Sequence, residues 1–188
     1  MGIPMSETPL RILVVEDEVL IALELECLLE DLGHITIGVA GNSAEAISLG
    51  QATTPDVAFV DIHLIDGPTG VEVARALSAD PHTTVVFMTA NAKRIPDDFA
   101  GAVGVIAKPY SERVVAGALR YVADLRAGRA ATVEGLDGFR LASATENADR
   151  HSQVPCAPGF GLRCSRRASA PRVRRRPWPG PGGSRLGC

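Results

Sequence analysis

The sequence of 188 residues lacks the features that mark membrane-spanning, secreted and zinc-binding proteins. No apolar run approaches the roughly 20 residues that a membrane-spanning helix needs. The first ten residues hold no basic segment followed by an apolar one, so we expect no secretory signal and a cytoplasmic location. The four cysteines form no Cys-x-x-Cys pair, which disfavours a zinc site and predicts free thiols.

Acidic residues are absent from Arg150 onwards, where nine arginines lie among glycines and prolines, which disfavour regular structure. Residues 1–127 carry 18 acidic and 8 basic side chains, a net charge of −10, whereas residues 128–188 carry 4 and 11, a net charge of +7. We therefore expect a 1–9 N-terminal extension, a folded domain over 10–127 and a disordered basic tail over 128–188. The tail composition is also typical of a GC-rich gene read out of frame, so a frameshifted end after about residue 140 is an alternative.

Short apolar runs alternate with helical patterns through the first 127 residues. The runs that predict buried strands are residues 11–15, 35–39, 57–60, 84–88 and 103–107. The helices are expected to end near Gly33 and to span 43–52, 70–79 and 111–126, with a weak helix at 91–100 that Pro96 interrupts. Strands that alternate with helices indicate βαβ units. The predicted fold is α/β, a flavodoxin-like, doubly wound, five-stranded parallel sheet with helices on both faces.

A stripe of apolar residues at helical spacing predicts the buried face of the first helix: Ile21, Leu25, Leu28 and Leu32. Cys27, in the same helix, is interpreted as a small buried apolar residue. Asn42 followed by Glu45 predicts a capping box at the start of the second helix, and Ser111 can cap the last one.

Polar side chains follow four of the five predicted strands. Glu16 and Asp17 follow the first, Asp61 the third, Thr89 the fourth and Lys108 the fifth. These residues should converge because ligands of open parallel sheets bind outside the carboxyl ends of the strands. Two carboxylates about 5 Å apart repel by about 3 kcal/mol at an effective dielectric near 20, so three need a cationic partner, or one of them must take up a proton. One lysine supplies too little charge, and an open oxygen-donor site suits Mg²⁺.

This combination of groups indicates phosphoryl chemistry. A carboxylate of Asp61 polarised by a metal ion and Lys108 can attack phosphorus and form an aspartyl phosphate. The Thr89 hydroxyl can donate to one phosphoryl oxygen and Lys108 can pair with another. Taken singly, each residue has an ordinary interpretation, since helix dipoles favour acidic residues at helix starts and Asp commonly forms turns. Four complementary groups at four strand ends favour the functional interpretation.

In order and spacing, four stretches carry a resemblance to a known family. They are Leu-Val-Val-Glu-Asp-Glu (13–18), Val-Asp-Ile-His-Leu-Ile-Asp-Gly-Pro-Thr-Gly (60–70), Met-Thr-Ala (88–90) and Ala-Lys-Pro-Tyr (107–110). Residues 10–127 resemble the receiver domain of bacterial two-component response regulators, in the stand-alone, CheY-like form.

The resemblance implies that a sensor histidine kinase or phosphotransfer protein phosphorylates Asp61. It implies a Mg²⁺ ion bound by Asp61, by Asp17 directly, by Glu16 through water and by the backbone carbonyl of His63, whose side chain should face solvent. Such a protein is a signalling module rather than an enzyme, and its downstream protein partner is not specified. A phosphorylation-dependent homodimer is left open.

The resemblance also assigns roles around the phosphorylation site. Thr89 is implied to be the switch hydroxyl and Lys108 the lysine that pairs with the phosphate, in a cis Lys108–Pro109 bond. One departure concerns Val105, which stands where the family often has an aromatic residue that swings inward on activation. Tyr110 is the nearest aromatic residue, but its position does not match.

Two other functions remain open at this stage. In the first, a transcription regulator, arginines at 166–167 and 172–176 contact nucleic acid phosphates, although nothing in the tail could read base edges and nucleic acid binding is disfavoured. The second is a phosphatase with Asp61 as nucleophile and His63, two residues later, as the acid. The sequence favours the signalling module over both.

Overall fold

The computed structural model of the chain describes residues 8–132 and 137–142. The elements in chain order are β1 (Arg11–Val15), α1 (Val19–Asp31), β2 (Ile35–Ala40), α2 (Ser43–Thr53), β3 (Val57–Val60), α3 (Gly70–Leu77), β4 (Thr84–Thr89), β5 (Gly104–Ala107), α4 (Glu112–Arg126) and β6 (Phe139–Leu141). The five predicted strands are all present, and so are four of the five predicted helices.

The strands form one sheet in the order β2-β1-β3-β4-β5-β6. The first five are parallel, which confirms the predicted doubly wound architecture. The sixth strand, β6, pairs antiparallel with β5 and is not among the predicted strands. It lies inside the stretch that we expected to be disordered from residue 128, so that expectation is wrong for residues 137–142. The arginine runs of the tail lie outside the described residues.

Helices cover both faces of the sheet, and successive strand residues point to opposite sides, so each strand contributes to two core layers. Val14 packs in one core layer with Leu29 of α1 and Val115 of α4. Leu13, its neighbour in β1, packs in the other layer with Leu77 of α3. The central strands are therefore buried on both faces, as their continuous apolar runs predict.

The buried face of α1 differs from the predicted stripe. It consists of Ala22, Leu25 and Leu29. The other predicted members, Ile21, Leu28 and Leu32, are only partly buried. Apolar residues surround most of this helix, so periodicity alone could not select the face.

Cys27 is exposed, and its predicted burial is wrong. It lies two residues from both Leu25 and Leu29, which are buried. Two residues correspond to about 200° of rotation in an α-helix, so Cys27 points away from the sheet.

The second helix starts as its capping box predicts. The Asn42 side chain accepts a hydrogen bond from the Glu45 backbone N–H at 2.9 Å. Ser111 is the N-cap of α4, but its side chain makes no capping hydrogen bond. The weak helix expected around Pro96 is replaced by two short 3₁₀ turns, Ala92–Arg94 and Phe99–Gly101. No helix among the described residues combines the length and hydropathy needed to cross a membrane.

Candidate functional site

The strand ends bring the predicted site residues together. Val15 pairs with Val60 in the sheet, so the residues that follow, Glu16 and Asp61, leave neighbouring strands at the same edge. The backbone N–H of Asp61 donates to the carbonyl of Val15 at 2.9 Å, which fixes this relation. The side chains of Glu16 and Asp61 are both buried.

Lys108 joins two of the three carboxylates. Its Nζ atom lies 2.5 Å from Oε2 of Glu16 and 2.6 Å from Oδ2 of Asp61. The lysine side chain is only 12% exposed, so water screens these ion pairs weakly. The backbone N–H of Lys108 donates to the carbonyl of Thr89 at 3.0 Å, which ties the lysine to the end of β4.

Burial and pairing act in opposite directions on the charges of this site. Burial raises the pKa of the Glu16 carboxyl above its usual range, and the hydrogen bond from Lys108 offsets only part of that rise. For Lys108, burial alone would lower the pKa, but hydrogen bonds to Asp61 and Glu16 outweigh it and raise the pKa above its ordinary value. Lys108 is therefore a firmly protonated cation.

The loop after β3 holds Asp61 in place. The other carboxylate oxygen of Asp61, Oδ1, accepts the backbone N–H of His63 at 3.2 Å. The His63 side chain is exposed, as expected. Gly70 passes so close that a Cβ atom there would lie 1.9 Å from the carbonyl oxygen of Asp61. Only glycine fits at that approach, and its requirement was not recognised from the sequence.

Thr89 lies at the end of β4 and is buried. Its Oγ1 atom accepts the backbone N–H of Asn91 at 3.2 Å, so the hydroxyl supports the turn that follows the strand. Val105, in the position of the family aromatic, is 3% exposed and packs in the core layer with Phe99. The Lys108–Pro109 bond is cis, which confirms the expectation.

The predicted metal donors fit Mg²⁺ by their chemistry. Glu16, Asp17 and Asp61 offer hard carboxylate oxygens, and three carboxylates with one ammonium leave a net charge of −2. Asp17 is partly exposed. Within the described ranges, no group of three or more His, Cys, Asp or Glu side chains is already arranged to hold a metal ion. Lys108 instead bridges Glu16 and Asp61.

A polar cluster beside the site was missed by sequence reasoning. Oδ2 of Asp66 accepts hydrogen bonds from the backbone N–H of Ser43 at 3.0 Å and from its hydroxyl at 2.6 Å. Oδ1 accepts the Thr69 hydroxyl at 2.7 Å. These bonds, from Ser43 first, lower the pKa of Asp66 to about 2. The cluster links the loop that carries Asp61 to the start of α2, and only the capping box at Asn42 hinted at it.

Comparison with known proteins identifies a family. The family model of the response regulator receiver domain matches residues 12–120. The chain is 37% identical over 102 residues to the phyllosphere-induced regulator PhyR of Methylorubrum extorquens, a match that covers 53% of this chain and 38% of that protein. It is 27% identical over 158 residues to the transcriptional regulatory protein PdtaR of Mycobacterium tuberculosis, a match that covers 82% of this chain and 74% of that protein.

Solved structures agree with this fold. A CheY-like response regulator receiver domain protein from Methanospirillum hungatei superposes with a TM-score of 0.59 at 25% identity, over 64% of this chain and 98% of that one. The chain spans about two-fifths of the length of PhyR. The similarity to PhyR therefore concerns one part of that longer regulator.

Proposed function

Because the chain belongs to the response regulator receiver domain family, we propose that Asp61 accepts a phosphoryl group and that its phosphorylation switches a protein–protein interaction surface. The donor is a sensor histidine kinase or a phosphotransfer protein in the cytoplasm. The reaction is a modification of the chain itself, so the protein acts as a signalling module and not as an enzyme that turns over a substrate.

The bridge that Lys108 makes between Glu16 and Asp61 is the observation that carries this proposal. It holds a carboxylate at a strand end beside a cation that remains protonated at neutral pH. In the transfer, an oxygen of Asp61 forms a bond to phosphorus, and the bond from phosphorus to the donor nitrogen breaks with its electron pair leaving on nitrogen. Lys108 then pairs with a phosphoryl oxygen, and the Thr89 hydroxyl donates to another.

Mg²⁺ is the cofactor of this proposal. Asp17, Asp61 and the backbone carbonyl of His63 would hold it, with Glu16 contributing through water. The ion supplies charge neutralisation for the phosphoryl oxygens. The chain's own residues position the acceptor: Lys108 and the His63 backbone N–H each bind one oxygen of the Asp61 carboxylate.

Exposed apolar residues near the site support a protein as the phosphodonor. Val19 and Leu20, at the start of α1, are 77% and 81% exposed. Ile65 is also exposed. Its backbone N–H donates to the carbonyl of Gly41, and Gly41 lies beside the backbone of Asp17, so Ile65 is close to the site. Large apolar side chains around a charged site are typical of a protein interface.

The direct test is intact mass after incubation of the full chain with acetyl phosphate and Mg²⁺. We expect a single phosphoryl adduct that disappears when Mg²⁺ is chelated. Asp61→Asn should give no adduct, whereas the matched variant Asp97→Asn, at an exposed Asp on another loop, should give the adduct as the wild type does. A folded protein that neither acetyl phosphate nor a panel of histidine kinases labels would refute the proposal.

A second candidate function is transcription regulation. The match to PdtaR covers 82% of this chain and therefore extends beyond residue 127. In this alternative the arginines at 166–167 and 172–176 bind nucleic acid, with an affinity that falls steeply with salt. Retention of labelled DNA by the full chain, compared with a chain ending at residue 149, tests it. Equal retention by both would exclude the tail as a nucleic acid ligand.

A further inference from the structure

A short C-terminal segment closes the outer edge of the sheet. We call residues 137–142 the strap; its strand β6 pairs with β5. At one end the Ala107 N–H donates to the carbonyl of Gly138, and at the other the Ala142 N–H donates to the carbonyl of Val103, each at 3.0 Å. The strap thus satisfies the hydrogen-bonding groups of β5 along its whole length, groups that an open edge would offer to another strand.

Side chains hold the strap on both faces of the sheet. Phe139 is 7% exposed and belongs to the core layer of α4, where its ring meets Tyr121 edge to face at 5.8 Å between centroids. On the other face, the guanidinium carbon of Arg140 lies 5.2 Å from the ring centroid of Phe99. Ala142 is buried in that second layer. The strap is therefore anchored in the core.

The sequence of β5 leaves room for the strap. A Cβ atom at Gly104 would lie 2.8 Å from the carbonyl oxygen of Arg140 and 2.8 Å from the ring of Phe139. Gly138, which leads into β6, has a φ of +104°, a conformation that side-chain-bearing residues rarely adopt. The close approach requires glycine at position 104, and the backbone conformation favours glycine at position 138.

The strap is connected directly to the phosphorylation site. Ala107, which binds Gly138, is followed by Lys108, whose Nζ atom lies 2.6 Å from Asp61. At that distance no phosphoryl group fits between Nζ and Oδ2, the Asp61 oxygen that the lysine contacts. In the proposed function the lysine side chain exchanges this contact for one with a phosphoryl oxygen, and its backbone is tied on one side to Thr89 and, through Ala107, to the strap.

We propose that the strap closes the β5 edge while Asp61 is unphosphorylated and loosens when Asp61 is phosphorylated. The inference rests on the proposed function. Because coupling between two sites is reciprocal, weakening the strap should also favour the phosphorylated state. The edge of β5 and the surface under Phe139 are what the strap uncovers.

Hydrogen exchange on the full chain, followed by mass spectrometry of peptides, tests the first half of the coupling. With acetyl phosphate and Mg²⁺, we expect exchange in the peptides covering 103–107 and 137–142 to rise about fivefold or more, while β1 stays unchanged. Asp61→Asn, treated in the same way, should show no rise. Intact mass of the same samples reports the phosphoryl adduct independently.

Two glycine variants test whether weakening the strap favours phosphorylation of Asp61. Gly138→Ala strains the turn into β6 without making a hole in the core, whereas Phe139→Ala removes the anchor and risks unfolding. Gly128→Ala is the matched control, because Gly128 also has a positive φ, +66°, and contacts nothing in the strap. At a fixed acetyl phosphate concentration, Gly138→Ala should raise the ratio of phosphorylated to unphosphorylated chain about fivefold relative to Gly128→Ala.

The outcomes separate this inference from the proposed function. An adduct that forms without any change in strap exchange would overturn the coupling and leave the proposed function standing. Equal adduct levels in Gly138→Ala and Gly128→Ala, with the strap loosened in the former, would overturn it as well. A wild-type chain that forms no phosphoryl adduct would refute both the coupling and the proposed function.

Discussion

The Nζ atom of Lys108 lies 2.6 Å from Oδ2 of Asp61, although 47 residues separate them in the chain. The same atom lies 2.5 Å from Glu16. Two buried carboxylates thus share one ammonium, which reduces their mutual repulsion in surroundings that screen charge poorly. The fold brings these groups together at the carboxyl ends of three strands.

Replacement of Lys108 by methionine should destabilise the protein at neutral pH. Two buried carboxylates lose their partner, and we expect the free energy of unfolding to fall by about 2 to 4 kcal/mol in urea titrations. Lys93→Met, at the exposed lysine of the 3₁₀ turn, is the control and should change little. An unchanged midpoint for Lys108→Met would contradict the structural role assigned to this lysine.

The stability that Lys108 contributes through Glu16 and Asp61 should depend on pH in the alkaline range. The pKa of Lys108 is raised above 10.5 in the folded chain, so its contribution is fully present below pH 10.5 and is lost as pH rises through the raised value. The stability difference between wild type and Lys108→Met should therefore persist up to about pH 10.5 and narrow above it. A difference that stays constant through pH 12 would argue against this prediction.

Gly70→Ala should disturb Asp61 through the backbone. The added Cβ atom would lie 1.9 Å from the carbonyl oxygen of Asp61, a contact that only backbone movement can relieve. We expect a loss of about 3 kcal/mol or more in unfolding free energy, at the upper end of overpacking costs. Gly41→Ala is the matched substitution, since its Cβ atom would make only ordinary contacts at 3.7 Å or more. Similar stabilities for the two variants would refute the argument.

Asp66 should contribute to stability in a defined acidic window. Its pKa is lowered from 3.8 to about 2, so its contribution is complete above pH 3.8 and is lost as pH falls toward 2. Urea midpoints of wild type and Asp66→Asn should differ at pH 5 and converge toward pH 2. Ser43→Ala, which removes one donor to Asp66, should show the same convergence with a smaller initial difference.

An aromatic residue at position 105 should not fit the folded core. Val105 is 3% exposed among Phe99, Ala102 and Ala142, so Val105→Phe forces overpacking. We expect a loss of about 1 to 3 kcal/mol in unfolding free energy, whereas Val105→Ile should cost less. Full stability of Val105→Phe would mean that this layer can open to admit a ring.

Cys27 should react in the native protein. Its side chain is exposed on α1, so iodoacetamide should alkylate it without denaturant, as peptide mapping would report. Cys27→Ser removes that modified peptide and identifies the site. Alkylation that occurs only in denaturant would show that Cys27 is buried, as the sequence predicts.

Sequence patterns predicted most of the fold because buried parallel strands are continuous apolar runs with polar residues at their ends. The runs 57–60 and 84–88 predict their strands nearly to the residue, and Asp61 and Thr89 mark where they end. Patterns failed where several faces of an element are equally apolar, as in α1, whose buried side includes Ala22 rather than Ile21. They also failed to predict the strand at Phe139, because three residues are too few to show the alternation of apolar and polar side chains that marks a strand.

The sequence alone determined the order of strands and helices, the identity of the acidic and basic groups at the strand ends, and the family they belong to. These features are local, because each depends on residues close together in the chain. The sequence predicts that Lys108 converges with Glu16 and Asp61, but tertiary structure alone decided that one Nζ atom contacts both carboxylates, and that residues 137–142 close the edge of β5. Both depend on distances between residues far apart in sequence, which packing of the whole sheet sets and no local pattern records.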